Sequence, residues 1–173
     1  MTKISGFECR IVTGDVDGAG TDGRVYLGLA GREFGVNSRL DDFERGSDRS
    51  YVFGLAPAKQ LDQGIQWENR VRAWDRYVYG SSVEDGNDPR VGFKLDTANL
   101  SQSPAYIRFE TAGSNHSWNL ADVWVIVYTG TDRDYTLLGD HFLAAAVFHK
   151  PDGLKNLWFG DNYGKMLFLT RNA

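Results

Sequence analysis

The sequence predicts an all-β fold, an antiparallel β-sandwich. Three observations carry this. Apolar and polar residues alternate at period 2 through successive runs. Gly- and Asp-rich clusters punctuate those runs at Gly18–Gly23, Gly31–Gly35, Asp85–Asp88, Gly130–Asp134 and Gly160–Gly164. A chain of 173 residues, 42% hydrophobic and 24% charged, is large and apolar enough for one folded core.

The strands follow in chain order. Glu8 to Thr13 reads as the first. Arg24 to Ala30 turns Val25, Leu27 and Leu29 to one face, and Ser50 to Phe53 is short and aromatic. Ile65 to Trp74 sets Ile65, Trp67, Val71 and Ala73 against Arg70, Arg72 and Trp74. Val91 to Leu95 and Tyr106 to Glu110 repeat the pattern, Ile107 and Phe109 facing away from Arg108. Val123 to Tyr128 is apolar on both faces, which places it centrally in a sheet. Phe142 to Phe148 and segments around Leu157 and Leu167 complete the set. One stretch has a competing reading: Leu137 to Phe148 is rich in helix formers, though Gly139-Asp140 interrupts it.

Bulk charge excludes some functions. A net charge of −4 disfavours general nucleic-acid binding, which needs a positive field against phosphate. The single cysteine, Cys9, allows no internal disulfide. No run approaches the roughly 18 apolar residues of a membrane span. The opening MTKISGFECRIV lacks the apolar run of a signal peptide, so a cytoplasmic protein is expected, and the sequons at Asn99 and Asn115 read as chance.

The densest chemistry lies in residues 12–48. Two Gly- and Asp-rich loops flank one strand and gather Asp15, Asp17, Asp22, Asp41, Asp42 and Glu44. Unpaired carboxylates this close repel, and a hard divalent cation such as calcium relieves the repulsion. The first loop is not an EF-hand. Counted from Asp15, the sixth position is Gly20 as required, but the twelfth is Tyr26 instead of a bidentate Glu, and a strand follows. Ligands must therefore come from the second loop as well. On composition alone, solvated turn carboxylates remain the competing reading.

The order Thr13-Gly14-Asp15, Gly18-Ala19-Gly20-Thr21-Asp22, Val25-Tyr26-Leu27 and Phe43-Glu44-Arg45-Gly46-Ser47-Asp48 resembles the PLAT/LH2 domain family of lipoxygenases, lipases, polycystins and clostridial alpha-toxin. A weaker echo covers residues 105–128, where Trp118 precedes a long apolar strand. The resemblance implies an eight-stranded antiparallel sandwich that binds calcium in loops at one end. It implies backbone ligands at Gly18 and Gly20 and side-chain ligands at Asn37, Asp41, Asp42 and Glu44. It gives Asp15, Asp17 and Asp22 no fixed ligand position, and Asp22 has the alternative role of holding its turn by bonding backbone amides. The sequence departs from the family where an Asp is usual before the closing Trp: here the loop is Gly113-Ser114-Asn115-His116-Ser117.

The domain is expected to span 1–173, with a core at about 5–55 and 105–130, an insertion at about 56–104 and a C-terminal elaboration at 131–173. The insertion interleaves Trp67, Trp74, Tyr77 and Tyr79 with Arg70, Arg72 and Arg76, a pattern that suits a lipid or ligand surface or an ordinary half-buried strand. No nucleophile elbow, Walker loop or HExxH pattern is present, and Asp140-His141 alone does not make a triad. The expected function is non-catalytic, calcium-dependent binding to a phospholipid surface or a protein partner. The alternative is a carbohydrate-binding sandwich with Trp67, Trp74 and Tyr79 as stacking platforms.

Overall fold

The computed structural model describes residues 2–36, 41–53, 77–79, 95–114, 116–129 and 143–172. The described residues form eleven strands, β1 (Ile4–Thr13), β2 (Arg24–Leu29), β3 (Arg32–Gly35), β4 (Asp48–Phe53), β5 (Tyr77–Tyr79), β6 (Tyr106–Glu110), β7 (Ser117–Thr129), β8 (Leu143–His149), β9 (Leu157–Gly160), β10 (Met166–Phe168) and β11 (Thr170–Arg171), plus a 3-10 turn at Thr97–Ser101. They make a seven-stranded sheet, ordered β11-β8-β7-β1-β4-β5 with β9 also on β7, and a four-stranded sheet, β10-β6-β2-β3. Pairing is antiparallel except between β4 and β5.

The two inner faces build the core through strict alternation. Phe7, Cys9 and Ile11 of β1 and Val123, Val125 and Val127 of β7 meet Val25, Leu27 and Leu29 of β2 and Ile107 and Phe109 of β6, all buried. Burial raises the Cys9 thiol far above its ordinary pKa, so this cysteine is a core residue. The apolar run at Val123–Tyr128 lies centrally, as its sequence requires: β7 has β1 on one side and β8 and β9 on the other.

The helical reading of Leu137 to Phe148 is corrected over its described part. Leu143–His149 is strand β8, because pairing with β7 buries Ala146 and Phe148 against the core. Tertiary burial overrides the helix propensity of three consecutive alanines. The strands expected at Ile65–Trp74 and at 91–94 lie outside the described residues, as do Trp67 and Trp74. Tyr77 and Tyr79 fall in β5, the parallel neighbour of β4. The segment beyond 131 supplies β8 to β11, which join both sheets.

Trp118 occupies the centre of one end of the sandwich. It is fully buried, contacts Phe43, Phe109 and Phe159 with ring centroids 5.4–5.9 Å away, and donates its indole N–H to Thr13 Oγ1 at 3.1 Å. Trp118→Ala is expected to cost about 3–5 kcal/mol in urea unfolding, the range for deleting a buried aromatic. A loss under about 1 kcal/mol would contradict this placement.

Candidate metal centre

Described residues of five connections meet at the Trp118 end: 14–23, 36 and 41–47, 111–114 and 116, 150–156 and 161–165. The first is pinned by backbone bonds. Gly14 N donates to Asn119 O (2.8 Å), Asn119 N to Ala19 O (3.0 Å), Thr21 N to Phe43 O (3.3 Å) and Gly46 N to Gly14 O (3.0 Å). Gly20 permits a close approach between the acidic loops: a Cβ there would stand 3.1 Å from the Arg45 amide nitrogen and 3.4 Å from the Phe43 carbonyl oxygen. The turn before β2 is held by Thr21 Oγ1, which accepts from Gly23 N at 3.0 Å.

Phe43 governs the second loop. Its φ is 61°, a left-handed conformation that a bulky residue rarely adopts, and its ring is buried against Tyr51 and Trp118. That anchor turns Asp42 inward and leaves Asp41 and Glu44 at the surface. Asp22, Asp41 and Glu44, all exposed, present carboxylate oxygens that lie within 4.8 Å of one another. A set of hard oxygen donors at this spacing fits calcium, whose flexible shell takes carboxylate, carbonyl and water ligands.

The remaining expected ligands divide between two other groups. Asp42 Oδ1 accepts from Tyr51 Oη at 2.9 Å and Arg49 Nη1 at 3.1 Å, and its side chain is only 9% exposed. Burial, and then the Asp42 charge, push the Tyr51 phenol well above its ordinary pKa. Asp15 and Asp17 instead embrace Arg45, which donates Nε to Asp15 at 2.7 Å and Nη1 to Asp17. The Asp15 hydrogen bond leads in raising the Arg45 pKa. Gly18 sits in the first loop with φ 73°. Asn37, Asn115 and His141 lie outside the described residues.

The same end exposes apolar side chains that alternation did not single out. Val16 is 42%, Leu154 40% and Tyr163 54% exposed, and Tyr163 stacks on Trp158 at 6.2 Å. Val16 had a readable signal, a lone aliphatic between Asp15 and Asp17. Lys165 and His116 both contact Asp161, at 2.7 and 3.3 Å, and tie the neighbouring loops. His149 is structural: its Nδ1–H donates to Lys150 O at 2.7 Å and its ring lies 5.5 Å from Trp124. Among the described residues no helix is long and apolar enough to cross a membrane.

Comparison with solved structures places the chain by fold. It is similar to the alpha toxin from Clostridium absonum, with TM-score 0.51 and 18% identity over 98% of this chain and 32% of that one. A lipoxygenase (LOX) variant solved in complex with arachidonate matches at TM-score 0.46 and 16% identity, over 96% of this chain and 16% of that one. The chain therefore spans a third or less of these proteins, and the likeness to the toxin shows the fold alone, an antiparallel β-sandwich. No protein-family model and no curated protein matches the chain.

The division of acidic residues makes a stability prediction. In EDTA, Asp42→Ala should lower stability by about 1–3 kcal/mol, because Tyr51 and Arg49 lose a buried acceptor. Asp41→Asn and Glu44→Gln should change it by no more than about 0.5 kcal/mol, as exposed substitutions do. Thermal unfolding of the three variants checks this, and equal losses would contradict the assignment.

Proposed function

We propose that this domain is a non-catalytic binding module that takes calcium at Asp22, Asp41 and Glu44 and then engages a phospholipid surface. One observation carries the reading: three convergent carboxylates share an end of the sandwich with exposed Val16, Leu154 and Tyr163. Calcium bound there would offset two of the trio's three negative charges and offer open coordination positions to a phosphate oxygen. Without a cation, the acidic loops repel the anionic leaflet. Gly20 and the Phe43 anchor hold the trio's two loops together, so little ordering remains to be done on binding. Val16, Leu154 and Tyr163 supply apolar contact, and Tyr163 carries a hydroxyl suited to the headgroup region. The resemblance to calcium-binding PLAT domains supports the same reading.

Sedimentation with phosphatidylcholine–phosphatidylserine vesicles, in calcium and in EDTA, tests the proposal. Binding is expected only in calcium. It should be lost in the Asp41→Asn/Glu44→Gln double variant and weakened about tenfold in Tyr163→Ala, with calcium binding retained. A calcium-specific rise in melting temperature should accompany it, worth about 2.7 kcal/mol at a hundredfold excess over Kd. Vesicle binding that persists in EDTA would overturn the calcium link. Calcium binding without vesicle binding would favour a protein partner.

A further inference from the structure

We propose that the outer face of the four-stranded sheet is a second binding surface, a platform for a neutral glycan. It lies on a side of the sandwich, away from the loop end, and stands independently of the membrane reading. Its geometry follows from strand register. Across β3, β2, β6 and β10 one row reads Gly35, Tyr26, Arg108, Met166, and the next reads Glu33, Gly28, Tyr106, Phe168. Side chains of these rows point outward, since Leu27, Phe34, Ile107 and Phe109 of the same strands point into the core.

Tyr106 lies down on the sheet. Its hydroxyl donates to Glu33 Oε1 at 3.1 Å, although Glu33 is two strands away, about 10 Å at ordinary strand spacing. The ring must therefore cross β2, and it does so over Gly28, where a Cβ would stand 2.2 Å from ring carbons. Glycine in the middle of β2 thus makes room for an aromatic floor. Phe168 rises beside that floor, with centroids 6.2 Å apart and planes at 75°, and is 56% exposed. Met166, 45% exposed, lies next to it on β10.

The third component is polar and fixed. Arg108 lies 4.2 Å over the Tyr26 ring, donates Nε and Nη2 to Glu33 at 2.6 and 2.7 Å and Nη1 to Glu110 at 2.5 Å. The Tyr26 hydroxyl donates to Glu110 at 3.2 Å. These hydrogen bonds lead in raising the Arg108 pKa and in depressing those of Glu33 and Glu110, so all three groups stay ionised and locked at neutral pH. Arg24 stands opposite Glu110 in register, so among the described residues of this face two arginines balance two glutamates. An electroneutral face gives an anionic membrane or nucleic acid no field to follow.

A pyranose ring matches what remains. It has a C–H face for an aromatic floor and wall, and an edge of hydroxyls that both donate and accept, which suits carboxylate oxygens and guanidinium N–H groups held at fixed positions. Preorganisation matters because a sugar gains little from each hydrogen bond exchanged with water.

Amide NMR of the whole chain in EDTA tests the proposal, with cellohexaose, maltohexaose and the N-acetylglucosamine hexamer as neutral probes and a heparin hexasaccharide as the anionic control. At least one neutral probe should give saturable shifts concentrated at residues 26–28, 106–108 and 166–168. Phe168→Ala removes an exposed side chain and keeps the fold, and it should weaken binding about tenfold; Tyr106→Ala should abolish binding. The proposal is overturned if no neutral probe shifts these residues, if only the anionic probe binds, or if Phe168→Ala leaves affinity unchanged while its spectrum stays folded.

Discussion

Trp118 is the contact on which both the sandwich and its acidic end depend. Its ring fills the space between the two sheets where Phe43, Phe109 and Phe159 meet, and its N–H is satisfied by Thr13 at the last residue of β1. The next residue, Asn119, then fastens the first acidic loop through backbone bonds to Gly14 and Ala19. Phe43 packs on the same indole from the second loop. One buried aromatic therefore sets the height of both loops, and carboxylates on flexible loops acquire positions set by a rigid core.

Charge is partitioned within that frame. Arg45 lies between Asp15 and Asp17, while Arg49 and Tyr51 hold Asp42 beside the core. Three of the acidic residues are thus paired with arginines of the second loop and β4. Asp22, Asp41 and Glu44 converge at the exposed surface. The second loop supplies Asp41 and Glu44, and its close approach to the first loop at Gly20 brings Asp22 to them.

Much of the fold was legible because alternation reports burial directly. Val25, Leu27, Leu29, Ile107 and Phe109 are all buried on the face their period assigned. The run Val123–Tyr128 declared a central strand by being apolar on both sides, but β7 begins earlier, at Ser117, because β9 pairs with its polar first half. β3 was hidden inside Gly31–Gly35: four residues with one apolar side chain, Phe34, carry no periodic signal, and pairing with β2 makes them a strand. β11 is two residues long and escaped for the same reason. Of the candidate site, the motif located the loops and gave Asp41 and Glu44. It could not separate Asp42 from them, since adjacent residues point opposite ways only once the backbone around Phe43 is known. Nor did it show that Thr21 Oγ1 takes a turn-holding bond from Gly23. The outer face of the four-stranded sheet was invisible, because Gly28 beneath Tyr106 is a register relation between strands far apart in sequence.

The proposed calcium site is built from two loops over one aromatic anchor. The most direct measurement is a calcium titration followed by backbone amide NMR. Saturable shifts concentrated at residues 20–22 and 41–46, abolished in the Asp41→Asn/Glu44→Gln variant, are the predicted result. Absence of saturable shifts at millimolar calcium, or shifts centred on Asp15 and Asp17 with Arg45 displaced, would contradict it.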